Sequence, residues 1–501
     1  MINIKNTKIF NILSQSYLAK AFSFFSLSQA ISALTSFGIL ALYTKLLPPA
    51  DFGKIALIWI FIIIASTLID GRLNTAFSIK FYKVSKEENT KNIYSIFIYN
   101  LIIWGLVYSV FLLFPSLLQK IIRVQIGASN PNIVFLLILF MILGNFYTNI
   151  LIVSQKPKNY FLVNLVFNAA LIISSSIYLN VLKLGYISYL KAYLISYLII
   201  SLIGLRFFIF NYVPHKNIIS LVNLKNLLKI GLPLVPTGLM LMLLTWADRY
   251  ILNLYVGLTI VGIYTVGYKF SELINNFIVN PFGQALSPVL FKQFAQSRDE
   301  YKRTMSRVFK YYWVIMSGIM IAYFVVLREF FLFFIGAKYM EGYNIVAIVL
   351  FGIILWGITN LLAATVIMKE KTEKMLLFTS ISVFLNIGLN FILIPKYGMY
   401  GAAIATLLAY VLQFIMIFIY TQKLVLITYD YRFIFKSISI SLCFFVVILF
   451  LSYLKVNVAI TLGLKAILFS LFILVAYKFL GFGEAIKKFL NYGVISKQTI
   501  S

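Results

Sequence analysis

The sequence predicts an all-α integral membrane protein of about 14 transmembrane helices, arranged as two pseudo-repeated six-helix bundles with two further helices at the C-terminus. Three observations carry this expectation. Of 501 residues, 62% are hydrophobic and only 11% are charged, whereas soluble domains carry roughly a quarter charged residues. The apolar residues gather into runs such as "IALIWIFIIIASTLI" (55–69) and "SLCFFVVILFLSYL" (441–454), each giving with its neighbours the roughly 20 residues that cross a ~30 Å hydrocarbon core. Finally, basic residues cluster between the runs, and parts of the first half reappear in the second.

Counting apolar runs bounded by charges, Gly or Pro gives spans that begin near Leu18, Gly53, Ile93, Ile133, Tyr160, Tyr186 and Ile230. They continue near Ile260, Val308, Tyr343, Met375, Gly401, Phe433 and Val456. Barrel-type alternation with period two is absent, so the spans are helices. The first follows Lys5 and Lys8 and outruns a signal-peptide apolar region, which makes it a retained first helix. The net charge of +29 lies in loop clusters, among them Lys80, Lys83, Lys86 and Lys91, then Lys156 and Lys158, then Lys369, Lys371 and Lys374. Such an alternation orients the chain with both ends in the cytoplasm and implies anionic lipid, not nucleic acid, as the partner of these bases.

The repeats suggest the domain plan. "YTKLLPPADFGKIALIW" resembles "LNLYVGLTIVGIYTVGY", with Gly53 and Gly262 offset by 209; "LGYISYLKAYLISY" parallels "YGMYGAAIATLLAY", with Gly185 and Tyr197 matching Gly398 and Tyr410 at 213. Residues 1–215 and 216–425 then form the two bundles, and 426–501 the extra helices and a cytoplasmic tail. Internal repeats of this kind are the plan of secondary transporters, which hold their site between the halves.

Charge at membrane depth is the functional signal, because each such residue costs about 2.5–3.5 kcal/mol on insertion scales. The acids expected inside spans are Asp70, Asp248 and Glu272; the bases are Arg72, Arg249 and Lys269, with Lys191 nearer an edge. Arg249, Lys269 and Arg72 are the candidate cavity cations, while Glu272, Asp248 and Asp70 are the candidate cavity or ion-coupling acids. Adjacent helical residues point about 100° apart, so Asp248 and Arg249 are not expected to pair with each other. Lys269 and Glu272, three apart, are. Asn276 and Asn280 continue from Glu272 at four-residue steps, Tyr264 and Tyr268 extend that stripe outward, and Asn74 joins the polar lining. Pro233, Pro236 and Pro281 mark kinks in the seventh and eighth helices, where a lost intrahelical bond lets the chain bend.

Other chemistries lack their residues. A lone Cys443 and a lone His215 leave no disulfide, no Cys- or His-based metal site and no His triad, and no cofactor is expected. There is no Walker A motif and no long outside loop for a membrane glycan polymerase. A transporter fits better than an enzyme.

Four stretches carry a family resemblance: "LLPPADFGKIALIW" (46–59), the run "LLKIGLPLVPTGLMLMLLTWADRYILNLYVGLTIVGIYTVGYKFSELI" (227–274), "QALSPVLFK" (284–292) and "IPKYGMYGAAIATLLAYVLQFIMIFIYTQKL" (394–424). They resemble the polysaccharide, O-antigen (Wzx-type) flippases of the multidrug/oligosaccharidyl-lipid/polysaccharide exporter superfamily. The resemblance implies a V-shaped pair of MATE-like bundles working by alternating access in a bacterial inner membrane. Its implied substrate is an undecaprenyl-pyrophosphate-linked oligosaccharide, its implied coupling an ion gradient through an intramembrane carboxylate, and its implied partners the polymerase and chain-length regulator of the same pathway. The family's cationic cavity role carries to Arg249 and, further, to Lys269 and Arg72. At "DGRLNTAF" (70–77) the chain departs from the family's small and apolar residues. A multidrug exporter and a peptidoglycan-precursor flippase share the superfamily and stay open as alternatives.

Overall fold

The computed structural model describes residues 4–125, 130–212, 219–453 and 457–480, with the side chains of 4–23, 130, 285, 288, 295 and 453 outside that description. His215, Lys216 and the basic tail at Lys487, Lys488 and Lys497 lie outside the described residues, as do the side chains of Lys5, Lys8, Lys20 and Ser23.

Every described element is helical, as lipid requires of a chain that must satisfy its backbone groups internally. The helices are α1 (Ile4–Leu46), α2 (Pro49–Asp70), α3 (Leu73–Lys80), α4 (Lys86–Leu113), α5 (Pro115–Ile122), α6 (Asn130–Val153), α7 (Pro157–Ser176), α8 (Ile187–Asn211) and α9 (Leu221–Gly231). They continue as α10 (Leu234–Tyr255), α11 (Gly257–Ile274), α12 (Asn280–Gln296), α13 (Arg298–Phe334), α14 (Tyr343–Met368), α15 (Thr372–Leu424), α16 (Tyr431–Tyr453) and α17 (Val458–Phe479).

Among the described residues, 11 helices are long and apolar enough to cross a membrane, and α9 with α10, bent by 43°, makes a twelfth crossing. The 53-residue α15 is broken at Gly398 (φ 53°, ψ −130°), three residues after Pro395, and divides into two crossings. The more polar pair α11 and α12, joined by a π-helical turn over Asn275–Val279, supplies the remaining one. Counted so, the crossings agree with the expected number of about fourteen, and the expected starts fall on or next to them, except that Val456 lies outside the described residues.

The helices sort into two units, Met1–Val266 with Asn390–Met399, and Gly267–Leu389 with Tyr400–Ser501. In the first, Leu73, Phe77, Phe146, Tyr147, Ile200 and Leu227 pack into a buried core under α3 and α9. That unit also contains a reciprocal contact between the two glycines that the sequence repeat aligns. A Cβ on Gly53 would lie 3.0 Å from the Leu258 carbonyl carbon, and one on Gly262 would lie 2.8 Å from the Pro49 carbonyl carbon. Pro49 and Leu258 are themselves 209 apart, so each repeat touches the other through the same positions, the signature of a two-fold contact. In the second unit, α13 packs with α14, α16 and α17. Lys310 on α13 pairs with Asp430 at 2.9 Å, and Lys465 on α17 pairs with Glu329 on α13 at 2.9 Å. Glu329 and the fully buried Lys465 are intramembrane charges that the sequence reading passed over.

Candidate functional site

The segment "DGR" breaks α2 from α3. Gly71 (φ 56°, ψ 25°) is left-handed and returns its N–H to Thr67 O at 3.1 Å, a normal glycine helix end. Arg72 follows in the same left-handed region (φ 58°, ψ 25°), which costs a non-glycine residue roughly 1–2 kcal/mol. Its carbonyl accepts the first bonds of α3, from the N–H groups of Thr75 and Ala76, both at 3.1 Å. The break between α9 and α10 packs against this one, for a Cβ on Gly231 would come within 2.5 Å of Gly71 O and 3.2 Å of Arg72 O. Further along, the Arg72 guanidinium lies against the bare face of Gly238, where a Cβ would stand 2.7 Å from Cζ. Two interrupted helices therefore hold one arginine in place through two glycines.

A cavity of about 180 Å³ opens at this break. Asp70, Arg72 and Asn74 line it with Ser66, Thr67 and Asn145. Asp70 is buried at 8% exposure, and the backbone N–H of Asn74 and the side chain of Asn100 lie against its carboxylate. Arg72 is half-buried, and among the described residues its Nε has no hydrogen-bond partner. One turn beyond the lining residue Asn145, Asn149 on α6 anchors α3 by donating to Asn74 O at 3.1 Å and to Ser78 Oγ at 3.0 Å. The result is a guanidinium beside small hydroxyl and amide groups in a polar recess at the C-terminal end of the α2 crossing. Guanidinium donors in that setting suit bidentate recognition of phosphate or carboxylate.

The pair Asp248–Arg249 corrects the sequence expectation. The two residues do pair, with Arg249 Nη1 at 2.8 Å from Asp248 Oδ1, because the long arginine side chain folds back along α10 and also donates to Thr245 O at 2.6 Å. Tyr264 completes the group by donating to Asp248 Oδ2 at 2.5 Å, with the Arg249 guanidinium 5.3 Å from its ring centre. Asp248 and Arg249 are 1% and 4% exposed. They form a closed buried network in this conformation. Gly238 and Arg249 are 11 residues apart on α10, about 16 Å along the axis, so Arg72 and Arg249 do not share one recess.

The other expected residues scatter. Lys269 and Glu272 pair at 3.1 Å as their spacing predicts, on a side of α11 where Lys269 is exposed. The stripe through Asn276 and Asn280 is corrected: the π-helical turn at Asn275–Val279 widens the helix just ahead of Pro281, which cannot donate, and so removes the four-residue register. Tyr264 and Tyr268, expected to extend that stripe, are buried. Pro233 caps α10 at the 43° bend, Pro236 sits in the first turn of α10 where its missing N–H costs nothing, and Pro281 opens α12. Asn100, fully buried on α4, is the site residue the sequence reading missed. Its signal was there in the polar positions Asn92, Ser95 and Asn100 within the apolar run of α4.

Comparison with known proteins places this geometry in a wider frame. The solved structures with the same fold include a "Lipid II flippase MurJ, inward closed conformation" (TM-score 0.71, 19% identity, covering 91% of this chain and 99% of that one). They also include a multidrug resistance MATE family transporter of the MOP superfamily, inward-facing (TM-score 0.63, 15% identity, 81% and 98% covered) and outward-facing (TM-score 0.56, 16% identity, 81% and 96% covered). No individual curated protein matches the sequence. The profile of one family, described as "Polysaccharide biosynthesis protein", matches residues 18–294, more than half of the chain and the whole of the Asp70–Arg72 recess and the Asp248–Arg249 network. The chain belongs to that polysaccharide biosynthesis family, on the multi-helix membrane fold of the MOP-superfamily transporters.

Proposed function

We propose that this chain is a flippase that carries undecaprenyl-pyrophosphate-linked oligosaccharide repeat units, of O-antigen or capsule type, across a bacterial inner membrane by ion-coupled alternating access. Family membership supports the polysaccharide pathway, and a shared fold with a lipid II flippase supports a lipid-linked substrate. The observation that carries the reading is Arg72, a guanidinium held by Gly238 in a polar recess at the end of the α2 crossing, with no ion pair among the described residues.

A pyrophosphate crossing a low-dielectric interior needs compensating charge, and an arginine without an ion pair supplies it at lower cost than one that must first break a salt bridge. Arg72 is therefore the first headgroup cation. Arg249 and Lys269 are further candidate substrate cations, each of which would first have to release its acid, Asp248 or Glu272. Both chain ends lie in the cytoplasm in this reading, and the polymerase and chain-length regulator of the pathway receive the product outside.

The test is surface polysaccharide in a flippase-deleted host carrying the native glycan locus. Wild type should restore polymer, and Arg72→Ala at matched membrane expression should leave lipid-linked units inside. Failure of wild type to complement, with activity in drug-efflux assays instead, would replace this reading with a multidrug exporter.

A further inference from the structure

The recess at Arg72 presents acceptors as well as a cation. Asp70, more than nine-tenths buried, lines it with an Oδ1 that no described residue satisfies, and Asn74 lines it with a buried Oδ1 in the same condition. The Asn74 backbone N–H and the Asn100 amide lie against the Asp70 carboxylate, but no cation pairs with it among the described residues. Buried polar groups nearly always find partners, so two open acceptors in one cavity ask for a ligand that donates hydrogen bonds. Arg72 Nε, also open, asks for one that accepts them. Ser66 donates its own hydroxyl proton to Ile63 O at 2.9 Å, which leaves its oxygen to the cavity as a further acceptor.

Size and shape narrow the ligand. At ~30 Å³ per water molecule, the volume of about 180 Å³ holds about six waters, which is room for one sugar ring and not for an oligosaccharide. Ile142 gives the recess one apolar wall, suited to the C–H face of a pyranose, and hydroxyl and amide side chains make up the rest. We propose that this recess binds the first sugar of the lipid-linked unit, the one bonded to the pyrophosphate. Its hydroxyls donate to Asp70 and Asn74 while the attached phosphate sits on Arg72, and the recess thereby separates loaded carrier lipid from bare carrier lipid.

The selectivity follows from charge and hydrogen bonding. Arg72 alone would take any lipid pyrophosphate. Asp70 changes that, because its carboxylate repels a bare pyrophosphate, whose free end carries extra negative charge, and is compensated when sugar hydroxyls donate to it. A site built around ligand hydroxyls rejects an analogue that lacks them, since its buried acceptors are then left unpaired. The ligand rests on the flippase reading; the part of the ligand that this recess reads goes beyond it.

The experiment uses the full chain in nanodiscs at one pH. Affinity is measured for undecaprenyl pyrophosphate and for the same lipid bearing a single glucose, galactose or N-acetylglucosamine. Wild type should bind at least one glycosylated lipid about tenfold or more tighter than the bare one, the effect of one hydrogen bond to a charged group. Asn74→Ala should weaken the glycosylated lipid alone. Asp70→Asn should weaken the glycosylated lipid and strengthen the bare one, so that the preference shrinks from both sides. Arg72→Gln should weaken both by a similar factor and keep the preference. Should Asp70→Asn prove poorly folded, deoxy forms of the best sugar decide the matter on wild-type protein, where loss of at least one ring hydroxyl should remove most of the preference. Equal binding of all the lipids, with Arg72 still required, overturns the proposal and leaves the flippase reading standing, whereas binding of none refutes both. A wild-type preference that Asp70→Asn and Asn74→Ala both retain places sugar recognition elsewhere and also overturns it.

Discussion

Arg249→Ala separates a structural arginine from a substrate ligand. In the structure Arg249 Nη1 is 2.8 Å from Asp248 Oδ1 and 2.6 Å from Thr245 O, and both charged residues are buried. Truncation leaves Asp248 in a low-dielectric interior with the Tyr264 hydroxyl donating to it. Breaking a buried pair from one side costs about 3–5 kcal/mol, which lowers the folding equilibrium constant by roughly two to almost four orders of magnitude. Removing both charges costs much less than breaking the pair, so Asp248→Ala/Arg249→Ala should recover most of the loss. Tyr264→Phe should cost about 1.5–3 kcal/mol, the value of a hydrogen bond to a charged group. The assay is thermal unfolding of detergent-solubilised protein followed by size-exclusion fluorescence. Arg249→Ala as stable as wild type but inactive in complementation would refute the argument and return Arg249 to the substrate path.

Other expectations follow from single contacts. Arg72→Gly keeps the left-handed turn and relieves its strain, so it should abolish complementation while unfolding no earlier than wild type. Gly262→Ala drives a methyl into the Pro49 and Gly53 backbone and should cost about 1–3 kcal/mol as an overpacking change, whereas Gly38→Ala, with open space around it, should be neutral or slightly stabilising in the same melt. Lys465→Met should destabilise by about 3–5 kcal/mol by stranding Glu329, and Lys465→Met/Glu329→Gln should restore much of it. Asp430, outside the spans, has its carboxyl pKa held below the ordinary value, first by the Lys310 hydrogen bond and then by the Phe433 N–H. Its folded pKa lies below the unfolded one, so its contribution is present above the unfolded value and disappears as pH falls through the folded value. For an exposed pair that contribution is about 1 kcal/mol or less, and Asp430→Asn should remove it at neutral pH and flatten the acid limb of a stability-against-pH curve.

Much of the fold was legible because lipid imposes a strong length and composition rule on each crossing. The bend at "GLPLVP" was visible as Gly and Pro inside an apolar run, and Asp70, Arg72 and Asn74 do meet in one recess, but the break at "DGR" was read as charge within a continuous span. Local spacing also predicted the Lys269–Glu272 pair. What escaped depended on side-chain torsions and distant partners. A helix wheel fixes where Cβ atoms point, and it misjudged Arg249, whose flexible stem reaches back to its own neighbour. Glu329 and Lys465 are 136 residues apart, so each alone resembled an edge charge. Asn100 resembled any interhelical amide until Asp70 stood beside it.

The most direct test of the central claim is transfer itself, measured in proteoliposomes as the appearance of an undecaprenyl-pyrophosphate-linked oligosaccharide at the far leaflet, read by accessibility to a membrane-impermeant lectin. Wild type should move the glycan, and Arg72→Ala, equally folded and equally incorporated, should leave it where it began. Wild-type liposomes that expose no more glycan than empty ones, or an Arg72→Ala protein as active as wild type, would contradict the account.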